Sequence, residues 1–453
     1  MRSNYFTRKM FLRQLAPALL AAVTLAFADM ADAVVVGQRM GATGLAAVGL
    51  CIPIFMVINV IMHGFGIGGS VRYATLLADN QTEEASRLFQ GVMVVALSSG
   101  AVCGIGCYLG LEQLLAILGT VPEDGELYVA TYQYASIVCL CTPVFYLTYI
   151  LQYFLQNDDK EAVAGWGFSI GMTVDIILNV VLVLMCDWGI RGAAVATVVG
   201  NLVTSSIFLL TISRKRSPLY PTTFSPDYRS GYQSFLAGVS SSSRYLFTMT
   251  FLIIANRCLL VMAGELGVAV LDILQNASFV VYYIYEAMAR SAQPLLSTYH
   301  GEKNKEQLAV TRRIASLSGH CVAMITMGGI CLLPAFICNL FGITRPEEVL
   351  LSTSALRLFC LGGLFGGANL LALSFAQSCH DEDTAFFITA MRGGVILLPV
   401  TLACAFLDVY YFWYLFPITE LTTLLLTRLR ATLRKKHTPP PPTVFAHTIG
   451  NDL

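Results

Sequence analysis

Charge is what this chain has least of. Asp, Glu, Lys and Arg make up 12% of its 453 residues, against roughly 25% in a soluble domain. Hydrophobic residues make up 56%, and the mean hydropathy is +0.67. A composition of this kind along most of the length excludes an ordinary soluble fold and leaves a polytopic membrane protein. The formal net charge is zero, so nothing in the total points to nucleic acid. The 13 cysteines stand mostly singly in apolar stretches, for example Cys103, Cys139, Cys186, Cys331 and Cys404. No CxxC and no metal-ligand spacing occurs, so they read as small apolar packing residues. GxxxxGK[ST] is absent too, which leaves no ATP drive within this chain. No small-residue cleavage site follows a short apolar core near the N-terminus, so the first apolar run reads as a retained helix.

Long apolar runs are abundant. Stretches of about 20 apolar residues suffice to cross a bilayer. Twelve are predicted, near 12–36, 46–71, 88–111, 127–155, 162–186, 190–213, 232–263, 267–292, 312–339, 348–378, 384–407 and 410–431. An even number puts both termini on one side, and the basic residues identify it. Arg2, Arg8, Lys9 and Arg13 precede the first run; Arg72, Arg87, Lys160, Arg214–Arg216, Arg229, Lys303, Lys305, Arg312 and Arg313 fall in even-numbered connections; Arg428 to Lys436 end the last. Only Arg39, Arg191 and Arg345 fall on the other side. Both termini are therefore expected in the cytoplasm of a cell (inner or plasma) membrane protein. The proline-rich end from His437 reads as a disordered tail, 437–453.

The two halves repeat. QNDDKEAVAGW begins at Gln156 and QSCHDEDTAFF at Gln377, an offset of 221 (377 − 156). NQTEEASRLF from Asn80 and GEKNKEQLAV from Gly301 keep the same offset. Six runs separate the matching landmarks, so the repeat is parallel. The predicted organisation is an N-terminal lobe over 1–213, a linker over 214–230 and a C-terminal lobe over 231–436, with a central cleft. All-α, twelve helices and two six-helix lobes is the predicted fold class.

Polar residues inside the apolar runs are unequally shared. Asp32 lies in the first run, and a carboxylate at membrane depth is costly unless it pairs or carries an ion. Asp175 and Asn179 are four apart in the fifth run, hence on one helix face. Thr197 lies in the sixth, within the small-residue stretch GAAVATVVGN that permits close helix approach. The positions 221 residues on from Asp32, Asp175 and Asn179 are Ile253, Ile396 and Val400. If these four residues face one lobe interior, two carboxylates, an amide and a hydroxyl converge. Two neighbouring carboxylates resist simultaneous ionisation, so the set can hold a proton; its oxygens can equally ligate sodium. Pro17, fifteen residues before Asp32, is a candidate helix bend. Glu286 and Glu420 are candidate contacts for a cationic substrate, with Tyr283 in an aromatic run beside Glu286. Arg257, Asp272, Arg357, Arg392, Asp408 and Glu420 also lie in or near C-terminal runs, several of them close to predicted helix ends where a charge can reach water. His63 and His300 read as solvent-facing.

These pieces, in order, resemble the multidrug and toxic compound extrusion (MATE) family of the multidrug/oligosaccharidyl-lipid/polysaccharide exporter superfamily. The resemblance rests on Pro17, Asp32 and VVVGQRMGATGLAAVGLCIP in the first run and GFGIGGS in the second. DIILN and GIRGAAVAT follow in the fifth and sixth, then QPLLSTYHGEKN and FPITELTTLLL in the second half. It implies a V-shaped, two-lobed antiporter, a monomer without cofactor, exporting amphipathic organic cations in exchange for protons or sodium. It implies Asp32, Asp175, Asn179 and Thr197 as the coupling-ion site. The fifth-run pair reads acid then amide, the reverse of the usual family order. The alternative is a flippase for a lipid-linked or anionic substrate, which Arg244, Arg257, Arg357 and Arg392 keep open. A membrane hydrolase with Asp32 and Asp175 as its dyad is disfavoured by the repeat and by the lack of a water-activating motif.

Overall fold

A computed structural model of the whole chain describes residues 2–158, 160–213, 219, 223–242 and 244–437. Side chains at some helical positions, including Pro17, Asp29 and Arg244, lie outside that description, as do linker residues 214–218 and 220–222 and the tail beyond 437. No strand occurs among the described residues.

The helices in chain order are α1 (Arg2–Ala78), α2 (Thr82–Leu109), α3 (Leu111–Leu118), α4 (Glu126–Leu140), α5 (Thr142–Gln156), α6 (Glu161–Asn179), α7 (Gly189–Ser213), α8 (Tyr228–Ser242), α9 (Arg244–Gly301), α10 (Lys305–Leu332), α11 (Pro334–Leu340), α12 (Pro346–Ser378), α13 (Glu382–Ala390), α14 (Leu397–Cys404), α15 (Val409–Phe412) and α16 (Leu415–His437). Eight described helices are long and apolar enough to cross a membrane, nine with the bent pair α4–α5. Two of the eight are double. A straight helix of 77 residues, the length of α1, would run far beyond the ~30 Å apolar thickness of a bilayer. The chain breaks at Gly41 (φ 60°, ψ −143°) in α1 and at Gly264 (φ 61°, ψ −151°) in α9. Such backbone is open to glycine and strained for other residues. With α1 and α9 each divided at its break, and with α16 counted although it is not among those eight, the passes number twelve, as the apolar runs predicted.

The repeat is visible in the backbone. The two glycine breaks stand 223 residues apart (264 − 41). Non-glycine residues with positive φ close the second and eighth passes at Asn80 and Lys303, at the same spacing. Short helices α3 and α11 follow the third and ninth passes at matching positions. α11 falls within the predicted run 312–339, whereas α3 starts where the run 88–111 ends and lies in what reads as a connection. Gly110 and Leu333 end the longer helices there, and Pro334 restarts the chain as α11.

The lobes touch directly at the end carrying the glycine breaks. Gln38 Nε2 donates to the carbonyls of Asn339 (2.7 Å) and Leu340 (2.8 Å). A Cβ at Gly37 would run into the Phe341 carbonyl, and one at Gly342 into the Gly37 carbonyl. Asn256 donates to Gly49 O at 3.2 Å. Arg257 donates Nε to Ile117 O at 2.7 Å and a terminal nitrogen to Ala116 O, satisfying the free carbonyls that end α3.

At the opposite end each lobe's first helix reaches across. Thr7 Oγ1 lies 2.6 Å from Tyr299 Oη and donates to Gln307 Oε1 at 2.8 Å. In the other half, Arg72 donates to Ser230 O (3.0 Å) and Ser234 Oγ (3.4 Å), and Gln90 bonds Thr223 O and Ser225 N. Gly68 and Gly238 bring the backbones of α1 and α8 together so closely that a Cβ at either would collide with the other helix.

Candidate functional site

α6 and α7 pack through glycines. A Cβ at Gly200 would stand 2.8 Å from Asp175 Cβ and 2.8 Å from Gly171 O. That approach holds Asp175 against α7, beside Thr197, whose hydroxyl donates back to Ala193 O at 3.2 Å. One turn on, Asn179 is fully buried, and its Nδ2 donates to Asp32 Oδ1 at 2.6 Å. The structure thus brings the four N-lobe candidates together as two contacting pairs. Buried Asp175 Oδ1 and Asn179 Oδ1 have no hydrogen-bond partner among the described residues. Two unmatched acceptors in one apolar site suit a proton or a small cation. No group of three or more His, Cys, Asp and Glu is arranged for a metal ion among the described residues. Only two of the four candidates belong to those types; an amide and a hydroxyl complete the set.

Immediately after Asn179 the chain winds as a π-turn, Val180–Met185. An inserted residue of this kind rotates the helix face and recurs at functional sites. Tyr134 on α4, buried, lies within electrostatic range of Asp32, Asp175 and, across the lobes, Asp272. Asp272 is 1% exposed and accepts from Asn276 Nδ2 at 3.3 Å. Neither Tyr134 nor Asp272 stands out in sequence, since a tyrosine in YQYAS and an acid near a predicted helix end look ordinary.

The C-lobe has its own polar knot. A second π-turn, Met391–Val395, carries Arg392 into the interior. Its Nε donates to both Glu420 oxygens, at 2.8 and 2.9 Å, and a terminal nitrogen lies 2.8 Å from Oε1. Asn369 Nδ2 adds a bond to Glu420 Oε2 at 2.8 Å, and the guanidinium sits 5.5 Å from the Tyr282 ring centre. Gly366 permits this, because a Cβ there would meet Tyr282 Oη at 2.8 Å. Arg392 does not reach water near a helix end, and Glu420 is held by its own arginine. Glu286 pairs with Arg290 at 2.7 Å on a half-exposed face, and Tyr283 stacks on Phe279 at 5.8 Å. Each of the two glutamates is thus paired with an arginine of its own.

His63 is not solvent-facing. Its ring stacks on Tyr245 (5.0 Å, 11°), meets Tyr149 and Tyr153 edge-on, and places Nδ1 2.9 Å from Tyr153 Oη. Phe168 extends the group beyond Tyr149 at 5.9 Å. These rings come from α1, α5, α6 and α9, and only tertiary folding assembles them.

The MatE family model matches this chain twice, over residues 17–181 and 239–402. The chain belongs to the MatE family. Two matched stretches in one chain agree with the repeat of six passes. Among curated relatives, the multidrug export protein MepA of Staphylococcus haemolyticus (strain JCSC1435) is 22% identical over 360 residues, 79% of this chain and 78% of that one. A solved structure described as the inward-facing conformation of a multidrug resistance MATE family transporter superposes with a TM-score of 0.82 at 20% identity, over 94% of this chain and 100% of the other. One described as the outward-facing conformation of such a transporter gives 0.68 at 20% identity, over 95% and 97%. Membership makes this MatE chain a multi-pass membrane transporter, not an enzyme.

Proposed function

We propose that this MatE protein is a secondary antiporter that exports amphipathic, cationic organic compounds in exchange for a proton or a sodium ion. The relatives' role in multidrug export supports the substrate class. The aromatic group around His63 offers π-faces of the kind that attract organic cations. Asp32, Asp175, Asn179 and Thr197 are the coupling site in this reading. The observation that carries it is the 2.6 Å bond from Asn179 to Asp32 beside unmatched acceptor oxygens on Asp175 and Asn179. An ion arriving there cancels one carboxylate charge and gives an unmatched oxygen a partner. The Asp32 helix then shifts against α6, with residue 17 as the proposed bend. Because α1 also spans the lobe contact through Gln38 and reaches Tyr299 through Thr7, its displacement alters lobe contacts at both ends.

The proposed lobes are 1–213 and 231–436, joined by 214–230, with both termini cytoplasmic and the monomer as the working unit in the bilayer. The flippase alternative needs cationic side chains free for an anionic substrate. Arg392 is matched by Glu420, Arg257 holds the end of α3, and Arg357 is exposed. Efflux of a fluorescent organic cation from proteoliposomes, with proton and sodium gradients imposed separately, tests the reading. One gradient is expected to drive efflux; movement with neither would overturn it.

A further inference from the structure

A cavity of about 660 Å³ opens at the end of the molecule opposite the glycine breaks. It is lined by Arg72 and Leu76 at the end of α1, by Glu84, Arg87 and Leu88 at the start of α2, and by the segment from Pro226 to Ser230 at the start of α8. Three guanidinium groups face two carboxylates. The carboxylate of Asp227 is already used: Oδ1 accepts from the Ser230 N–H at 3.0 Å and caps α8. Arg72 is used as well, on Ser230, Gln233 and Ser234. Arg87 and Arg229 are exposed and take part in no ion pair or side-chain hydrogen bond among the described residues.

The fold does not require these charges. At the 223-residue spacing of the backbone landmarks, the positions that correspond to Arg72 and Arg87 are Leu295 and Val310. The equivalent corner of the other half is held by the neutral Thr7, Tyr299 and Gln307. The same architecture therefore exists without arginines, and their presence here needs another reason.

We propose that this cavity binds a phosphate-bearing anion at the membrane boundary, the headgroup of an anionic phospholipid. Two free guanidinium groups can fork onto phosphate oxygens. Leu76 and Leu88 line part of the cavity with apolar surface. Phe224, Tyr228 and Tyr232, exposed around the start of α8, are the side chains that settle at a bilayer interface. Basic pockets between helices on the cytoplasmic side are suited to anionic headgroups. A lipid bound here touches α1, α2 and α8 together, and so bridges the two halves at this end.

The test uses the purified full-length protein in neutral phosphatidylcholine micelles, titrated with phosphatidylglycerol or with soluble glycerol phosphate. Thermal unfolding and lipid retention in native mass spectrometry are the readouts. Phosphatidylglycerol is expected to raise the unfolding temperature and to remain bound. The Arg87→Gln/Arg229→Gln pair should bind it about thirtyfold more weakly, at about fivefold for each basic residue. Arg87→Lys/Arg229→Lys should recover most of the loss. An unchanged affinity in the glutamine pair would overturn the proposal. So would the absence of any response to phosphatidylglycerol. An equal response to soluble glycerol phosphate would overturn the lipid source while supporting the phosphate site. Should the glutamine pair fail to fold, Glu84→Gln keeps the test decisive: it removes an opposing charge and should tighten binding, and unchanged affinity refutes the site.

Discussion

Gly37→Ala should open the end of the molecule where the lobes touch. In the observed state the added Cβ would run into the carbonyl of Phe341. That obstacle is backbone on the other half, and it is pinned by the Gln38 bonds to Asn339 and Leu340. Inserting a methyl into such a contact costs about 1–3 kcal/mol. The cost falls only on the state with the lobes joined here, because separating them removes the carbonyl. Gly37 lies in helical backbone, away from the positive-φ glycines, so alanine adds no strain of its own. The ratio of open to closed molecules should therefore rise about fivefold to 160-fold. Spin labels at Arg39→Cys and Arg345→Cys, with the exposed Cys186 and Cys321 replaced by serine, measure this end by electron–electron distance. The variant should gain or enlarge a long-distance population relative to the unsubstituted Gly37. An unchanged distance distribution would refute the claim that this contact defines closure.

Three further outcomes follow from the same geometry. Arg392→Met or Glu420→Leu alone should cost about 3–5 kcal/mol by leaving a buried charge unmatched, while the double substitution should regain much of it; thermal unfolding of the three variants in detergent checks this. Asp227 and Asp381, outside the membrane-spanning passes, are both held below the ordinary carboxylate range. For Asp227 the cause is its bonds to Ser230. For Asp381, burial works against the charge, but the Thr384 bonds and Arg434 outweigh it. A lowered carboxylate stabilises above its unfolded pKa, so their contribution should be complete at neutral pH and fade as pH falls below about 4. Unfolding followed against pH, compared with Asp227→Asn, reads this. His63→Phe should keep the stacking on Tyr245 but lose the Tyr153 bond, raising the KM for a cationic substrate several-fold with less effect on the maximal rate; a change in maximal rate alone would contradict a binding role.

Much of the fold is legible because a bilayer simplifies the problem. Long apolar runs can only be helices there, so twelve passes follow from composition. The repeat follows from landmarks such as Gln156 and Gln377. The glycine breaks are less legible, since Gly41 and Gly264 sit among many glycines and only the backbone shows which have positive φ. In the site, Asp32, Asp175, Asn179 and Thr197 stand out because polar groups at membrane depth are rare, and the i,i+4 spacing of Asp175 and Asn179 is visible in the string. That Asn179, not Asp175, bonds Asp32 depends on how α6 is turned, which no spacing fixes. The Arg392–Glu420 pair is hidden for a related reason. A π-turn shifts Arg392 off the regular helical face, so a period of 3.6 residues misplaces it. His63 acquires its ring neighbours from two distant helices, α5 and α9, and pairwise contacts of that range leave no local signature.

The most direct test of the coupling site is ion-driven transport by Asp32→Asn in proteoliposomes. An asparagine at 32 still offers an oxygen to Asn179 Nδ2, so the variant should fold, insert and bind substrate. It should show no efflux above background under whichever gradient, proton or sodium, drives the wild type. Gradient-driven efflux at the wild-type rate would contradict the account and remove Asp32 from the coupling site.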